Sequence, residues 1–364
     1  MTVKEITDYL DQTLRKDYQE SYDNSGLQVG NMSSEITGVL TCVDVSDSVV
    51  DEAVSIGANL IVSHHPLIFG GLNQVTDRDT TGRIITHLIH NNISVYSAHT
   101  NLDNLLNGVN GILAQKIGLE NCRILRPLRG AMRKLETFVP RKESKKVADA
   151  LFDAGAGKLG NYDRCCFATD GQGTFRPLEG STPFCGTVNK EHCEDETRIE
   201  VMYETGYENN VVSSLLESHP YEMPAFYCLD NNAPHPSAGA GLIGVLPEPL
   251  PTDDFLRRIK KTLNIPVIRT SKRCCYTVQK VAICGGSGAF LMNDALSLGA
   301  DIFLTSDIKY HDFQHATGRI LLADIGHYES EQFSKELLCN VISEKFHNFA
   351  CRVSERDNGY VCYI

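Results

Sequence analysis

The stretch Asn59-Leu-Ile-Val-Ser-His-His-Pro66 decides how this chain is read. A short apolar run without polar alternation describes a strand covered on both faces. On a regular strand His64 and His65 point to opposite sides, so they converge only where the strand ends. Pro66 favours extended backbone at His65 and stops the ladder. On either side, Gly38-Val-Leu-Thr-Cys-Val43 and Ile93-Ser-Val-Tyr-Ser97 are further strands, with helical patterns at 48–56 and 82–90 between them. The last third repeats this style. Residues 281–284, 301–305 and 320–323 read as strands, and 290–298 and 330–344 as helices. Strand–helix alternation with fully apolar strands predicts an α/β core.

The middle has another texture. Strands are expected at 135–140, 165–169, 198–203 and 225–229, with helices at 143–154 and 210–218. That order is β-α-β-β-α-β, the ferredoxin-like arrangement. The turn-rich stretch from Asp170 to Gly186 is expected to join its central strands. The chain is therefore divided into a core α/β lobe at 1–129, an inserted α+β domain at 130–237 and a second core lobe at 238–364.

Composition narrows the classes. A length of 364 residues suits two or three domains. A hydrophobic fraction of 42% with 22% charged residues is that of an ordinary folded chain. The net charge of −12 disfavours nucleic acid and anionic membranes as partners. The N-terminus carries acidic residues and lacks the apolar run of a signal peptide. No window reaches the ~18 apolar residues of a membrane span. The 13 cysteines are odd in number and form no C-x-x-C, which fits reduced thiols in a cytoplasm. Buried structural thiols are the default for most of them.

In open α/β sheets ligands bind beyond the carboxyl ends of the strands. The residues just past each apolar run are therefore informative: His64-His65-Pro66, Ala98-His99-Thr-Asn-Leu-Asp103, Gly285-Gly-Ser-Gly288, Ser306-Asp307 with His311-Asp312, and Asp324-Ile-Gly-His327-Tyr-Glu-Ser-Glu331. Histidine and carboxylate recur at one sheet edge. Neutral imidazoles suit divalent metals, although an isolated His pair is usually a surface feature. His327 and Glu331 share one helical face at i, i+4, which serves a metal or a surface ion pair equally. Asp103 is either a ligand or the N-cap of a helix at 104–117. His99 is a ligand, an orienting group or a proton carrier. The glycine-rich turn either binds an anion through its N–H groups or only needs glycine for tightness. A His/Asp/Glu site without thiolate suits Zn, Mn, Fe or Co alike.

These motifs, with Asp23-Asn-Ser-Gly-Leu-Gln-Val-Gly30 and Asp307-Ile-Lys-Tyr-His-Asp312, resemble the NIF-three-like dinuclear-metal hexameric proteins, the GTP cyclohydrolase 1 type 2 homologs. Tyr22 stands where that family usually has Trp. The middle resembles the PII/CutA-like insert of the longer members, through Gly171-Gln-Gly-Thr-Phe-Arg-Pro177. The resemblance implies two divalent ions per subunit on His64, His65, Asp103, His327 and Glu331. It implies Glu331 as the bridge, with His65 and Asp103 on one ion and His64 and His327 on the other. It also implies a toroidal homohexamer. The expected activity is metal-dependent hydrolysis of a nucleotide or related phosphate-bearing small molecule, with His99 or His311 moving the proton. The alternative is a non-catalytic metal-binding or regulatory assembly with a ligand-sensing insert.

Overall fold

The Leu60–Ser63 strand is buried along its whole length and pairs in parallel with Val39–Cys42 on one side and Ser94–Ser97 on the other. In the computed structural model, which describes residues 1–362, these strands sit inside a five-stranded sheet. Its order is Gly26–Val29, Ser94–Ser97, Leu60–Ser63, Val39–Cys42, Cys351–Val353. One face packs on the helices Asp47–Ile56 and Thr80–His90, through Val49, Val50, Ile84, Ile85 and Leu88. The other packs on Val3–Thr13 and Ser334–Lys345, through Ile6, Leu10, Leu338 and Ile342. Coverage on both faces is why the strands carry no polar alternation.

A second, six-stranded sheet has the order Arg269–Thr270, Leu321–Asp324, Ile302–Thr305, Thr277–Ile283, Gly239–Pro251, Glu120–Pro127. Its three central strands, Thr277–Ile283, Ile302–Thr305 and Leu321–Asp324, are parallel. Each sheet borrows from the other end of the chain. Glu120–Pro127, from the first third, closes the second sheet, and Cys351–Val353, near the end, closes the first. Met1–Pro127 and Ser237–Ile364 accordingly form one compact unit, and Leu128–Pro236 a second.

Two expected helices are shorter than their patterns. The run at 104–117 begins at Val109 and is preceded by a single turn, Thr100–Asp103. The chain reverses at Gly108, where a Cβ would lie 1.8 Å from the Leu102 carbonyl oxygen. Asp103 therefore ends a turn and caps no long helix. The run at 330–344 is split into His327–Glu331 and Ser334–Lys345. Among the described residues no helix is long and apolar enough to cross a membrane.

The second unit runs Met132–Pro140, Ser144–Asp153, Cys166–Phe175, His192–Glu204, Glu208–Ser218, Phe226–Asn231. Its sheet is antiparallel throughout, ordered Cys166–Phe175, His192–Glu204, Met132–Pro140, Phe226–Asn231. Both helices cover one face, through Val147, Leu151, Val211 and Leu215 against Leu135, Ile199, Val201 and Tyr203. The expected turn from Asp170 onward is strand as far as Phe175. Gly173 reads as a turn signal but makes room for a neighbour. A Cβ there would lie 2.2 Å from the Glu196 carboxylate on the paired strand.

Candidate metal centre

Strand ends from both sheets of the first unit meet at one place. Ser63 ends its strand, and the His64 and His65 N–H groups donate to the carbonyls of Cys42 and Val43 on the neighbouring strand. The next strand stops at Ser97, and the turn beyond it carries His99 and Asp103. From the second sheet, Leu321–Asp324 passes through Gly326, at a φ of +82°, into the helix that holds His327 and Glu331. Sequence neighbours fix each pair of ligands. Only the meeting of the two sheets brings the pairs together.

The five expected ligands converge. Glu331 is buried at the centre, and its two carboxylate oxygens face different partners. Oε1 lies 3.7 Å from His64 Nε2, which is 3.6 Å from Asp103 Oδ1. Oε2 lies 2.9 Å from His65 Nε2 and 3.2 Å from His327 Nε2, and these two nitrogens are 3.4 Å apart. The distances thus group His64 with Asp103 and His65 with His327. The resemblance implies a different grouping, His65 with Asp103 and His64 with His327. Ligand atoms of His64, His65 and Glu331 all lie within 4.8 Å of one another.

Each imidazole is oriented from behind. His64 Nδ1 donates to the Ala98 carbonyl at 2.8 Å, His65 Nδ1 to Asp44 at 2.9 Å, and His327 Nδ1 to Asp307 at 2.7 Å. With Nδ1 carrying the proton, each Nε2 presents a lone pair inward. Lone pairs of three imidazoles and two carboxylates then face one another. His64 Nε2 and Asp103 Oδ1 are buried without a hydrogen-bond partner. Such atoms are costly unless a cation satisfies them, so the donor set fits divalent metal.

The same field holds protons when no metal competes. Burial works against charge on His65, but hydrogen bonds to Asp44 and Glu331 push it up to about 10. The hydrogen bond to Glu331 outweighs burial at His327 and pushes it up to about 9. Burial opposes ionisation of Glu331, yet its hydrogen bonds to the imidazoles hold it well below the usual carboxylate range. Burial raises Asp103.

Asp44 and Asp307 have no role in the expected ligand set, though sequence signals existed. Asp44 directly follows the run Gly38–Val43, and Asp307 lies just past a strand of the second sheet. Asp307 holds a left-handed φ of +55°, a conformation Asp tolerates better than most residues.

Of the two expected proton carriers, His99 is beside the cluster. Its ring centroid is 5.4 Å from that of His64 and 5.6 Å from that of His65. His99 Nδ1 donates to Asp23 at 2.7 Å, and Thr100 holds the same carboxylate through its N–H and hydroxyl. His311 is exposed on Tyr310–Ala316, and its contacts among the described residues are Gln314 and Tyr310.

The glycine-rich turn serves the carboxylate. The N–H groups of Gly285, Gly286 and Gly288 donate to Asn110, Ser330 and Thr305 side chains, so they are not free for an anion. Gly286 sits at φ +60°, and a Cβ there would lie 2.3 Å from Glu331 Oε1. Cys284 is buried nearby, and burial with the Asp103 and Glu331 charges pushes its thiol far up, away from thiolate.

A mixed α/β fold that gathers imidazoles and carboxylates at facing strand ends defines a candidate metal-centre protein. The chain belongs to the Duf34/NIF3 (NGG1p interacting factor 3) family, whose model matches residues 1–358. A relative from Staphylococcus epidermidis named GTP cyclohydrolase 1 type 2 homolog is 38% identical over 345 residues, covering 94% of this chain and 93% of its own. One of the same name from Bacillus subtilis is 33% identical over 99% of this chain and 98% of its own. A crystal structure of a Bacillus cereus protein related to NIF3 matches with a TM-score of 0.86 at 32% identity, covering 100% of this chain and 99% of that one.

Proposed function

We propose that this protein binds two divalent ions and hydrolyses a nucleotide or a related phosphate-bearing small molecule. The observation that carries the reading is the pair of donor groups sharing Glu331, one of which leaves His64 Nε2 and Asp103 Oδ1 buried without a hydrogen-bond partner. In this reading His64, Asp103 and Glu331 would hold one ion, and His65, His327 and Glu331 the other. Zn, Mn, Fe and Co all suit these donors. Bound there, the ions supply Lewis acidity, polarising substrate oxygen and acidifying water.

The chain's own groups do the rest. Asp23 fixes the ring of His99 beside the ligands, where its Nε2 accepts and returns a proton. The exposed Phe69 ring is 6.0 Å from that of His99 between centroids, and exposed Tyr22 is 6.4 Å from Phe69. Flat aromatic faces beside an electrophile site suit a stacked base. The relatives' name points to the same substrate class. Within this reading the protein works in the cytoplasm as a toroidal homohexamer, and residues 128–236 are a PII/CutA-like insert, whose antiparallel strand order is ferredoxin-like. A second reading, a regulatory metal-binding assembly, draws support from the insert's own cavity of about 440 Å³.

The test is elemental analysis of gently purified protein, followed by a screen of nucleotides and phosphoesters with the metal found. Two ions per chain and chelator-sensitive turnover support the reading. Formate release marks ring hydrolysis, and phosphate release marks ester cleavage. Tyr22→Ala and Phe69→Ala should raise KM by roughly 5–150-fold, as stacking of about 1–3 kcal/mol per base implies. Chelator-resistant turnover would sink the metal mechanism, and no turnover by fully metallated protein favours the regulatory reading.

A further inference from the structure

A second cluster of metal-binding chemistry lies wholly within the Leu128–Pro236 unit. His192 and Glu194 alternate along the His192–Glu204 strand, so both point to one face. Cys185 comes over that face from the connection beyond Phe175. Ligand atoms of Cys185, His192 and Glu194 all lie within 4.8 Å of one another, and His192 Nε2 is 2.8 Å from Glu194 Oε2. All three side chains are half-buried.

The connection is shaped to bring the thiol there. Asn189 donates its N–H to the Pro177 carbonyl at 2.7 Å, and Lys190 to Thr187 at 3.0 Å, which closes a tight turn. Gly186, at φ +85°, passes so close to the strand that a Cβ would lie 3.1 Å from His192 Cβ. Aromatic rings wall the cluster. Phe175 is 5.4 Å from His192 between centroids, and the Tyr221 hydroxyl is 3.9 Å from Cys185 Sγ.

We propose that Cys185, His192 and Glu194 bind a zinc-class divalent ion, independent of the centre in the first unit. Thiolate, imidazole and carboxylate are the donors zinc takes in its four-coordinate sites, at about 2.0–2.3 Å each. Three protein donors leave a fourth position for a small ligand. The ion joins the connection at 176–191 to the sheet. That connection supplies Arg176, Pro177, Leu178, Ser181, Pro183 and Phe184 to the wall of the 440 Å³ cavity. Binding displaces the thiol proton, which burial otherwise retains by raising the Cys185 pKa.

The two centres differ in donor type, and cobalt reads that difference. Full-length protein loaded with Co²⁺ should show a near-ultraviolet thiolate-to-cobalt charge-transfer band, because the first centre contains no thiolate ligand. The band should vanish in Cys185→Ser and persist in Glu331→Ala. Zinc content should fall by one ion per chain in Cys185→Ser and in His192→Asn. Far-UV circular dichroism and retained metal at the first centre report that each variant is folded; if one is not, the other decides. A missing band in the wild-type protein, or a band that survives Cys185→Ser, would overturn the proposal.

Discussion

The two His-bearing clusters of this chain are built by opposite means. In the first unit the donors come from two sheets around a buried His64 and Glu331, with Nε2 of His64 and one oxygen of Asp103 left without partners. Every imidazole there is clamped from behind by a carbonyl or carboxylate. In the second unit two donors come from alternate positions of one strand and the third from a nearby turn, and all stay half-buried. A centre assembled over long sequence distances exists only in the folded chain, and an ion bound there would satisfy groups that the fold leaves unpaired. A centre assembled locally on a strand face needs less of the fold, and water would cover part of the cost of losing an ion there.

The largest expected effect breaks the first cluster at its hub. Glu331→Ala should weaken both ions by more than about 100-fold, since outer partners alone are commonly worth about 10–100-fold. Full occupancy of both positions by elemental analysis would show that the carboxylate is no bridge. Next come the outer partners. Asp44→Asn and Asp307→Asn should each cost about 10–100-fold at the position served by His65 and His327. The position served by His64 and Asp103 should change little, and losses at different positions in the two variants would restore the grouping implied by family resemblance.

A third prediction concerns pH. Metal-free His65 near 10 and His327 near 9 are both protonated at neutral pH, so binding must displace their protons. Affinity therefore rises with pH, by up to about two log units per pH unit between about 6 and 8. Isothermal titration in buffers of different ionisation enthalpy counts the protons released, and a pH-independent affinity would contradict the raised values.

The smallest effect tests a histidine with no metal role. His219 is buried in the second unit, its Nε2 donating to Phe138 and its Nδ1 accepting from the Tyr221 N–H. Burial lowers its pKa. The unfolded chain therefore takes up the proton first, and stability present above pH ~6.5 is lost as pH falls below it. His219→Phe should cost about 1–3 kcal/mol by leaving two backbone groups unpaired, and should abolish this part of the acid sensitivity. Hydrogen exchange of the Glu208–Ser218 amides in the intact protein measures both.

Local pattern made much of this legible. The apolar run ending in His64-His65-Pro66, the His327/Glu331 spacing and the β-α-β-β-α-β order each follow from neighbours in sequence, because burial period and strand ends are local properties. Asp44 was equally local, one residue past an apolar run. The Asp170–Phe175 strand was hidden because Gly171 and Gly173 look like turn residues, and only the Glu196 side chain on the neighbouring strand explains Gly173.

Which distant pieces meet is a matter of tertiary packing. Glu120–Pro127 and Cys351–Val353 join sheets built mainly from the other end of the chain, and no periodicity encodes that exchange. His65 and Glu331 are 266 residues apart, yet they hydrogen-bond at 2.9 Å. Their partners follow from the angle at which the two sets of strand ends face each other, so His64 falls to Asp103 and His65 to His327. Sequence supplies each side chain's local direction, but the contact between two such directions is set by the packing of whole layers.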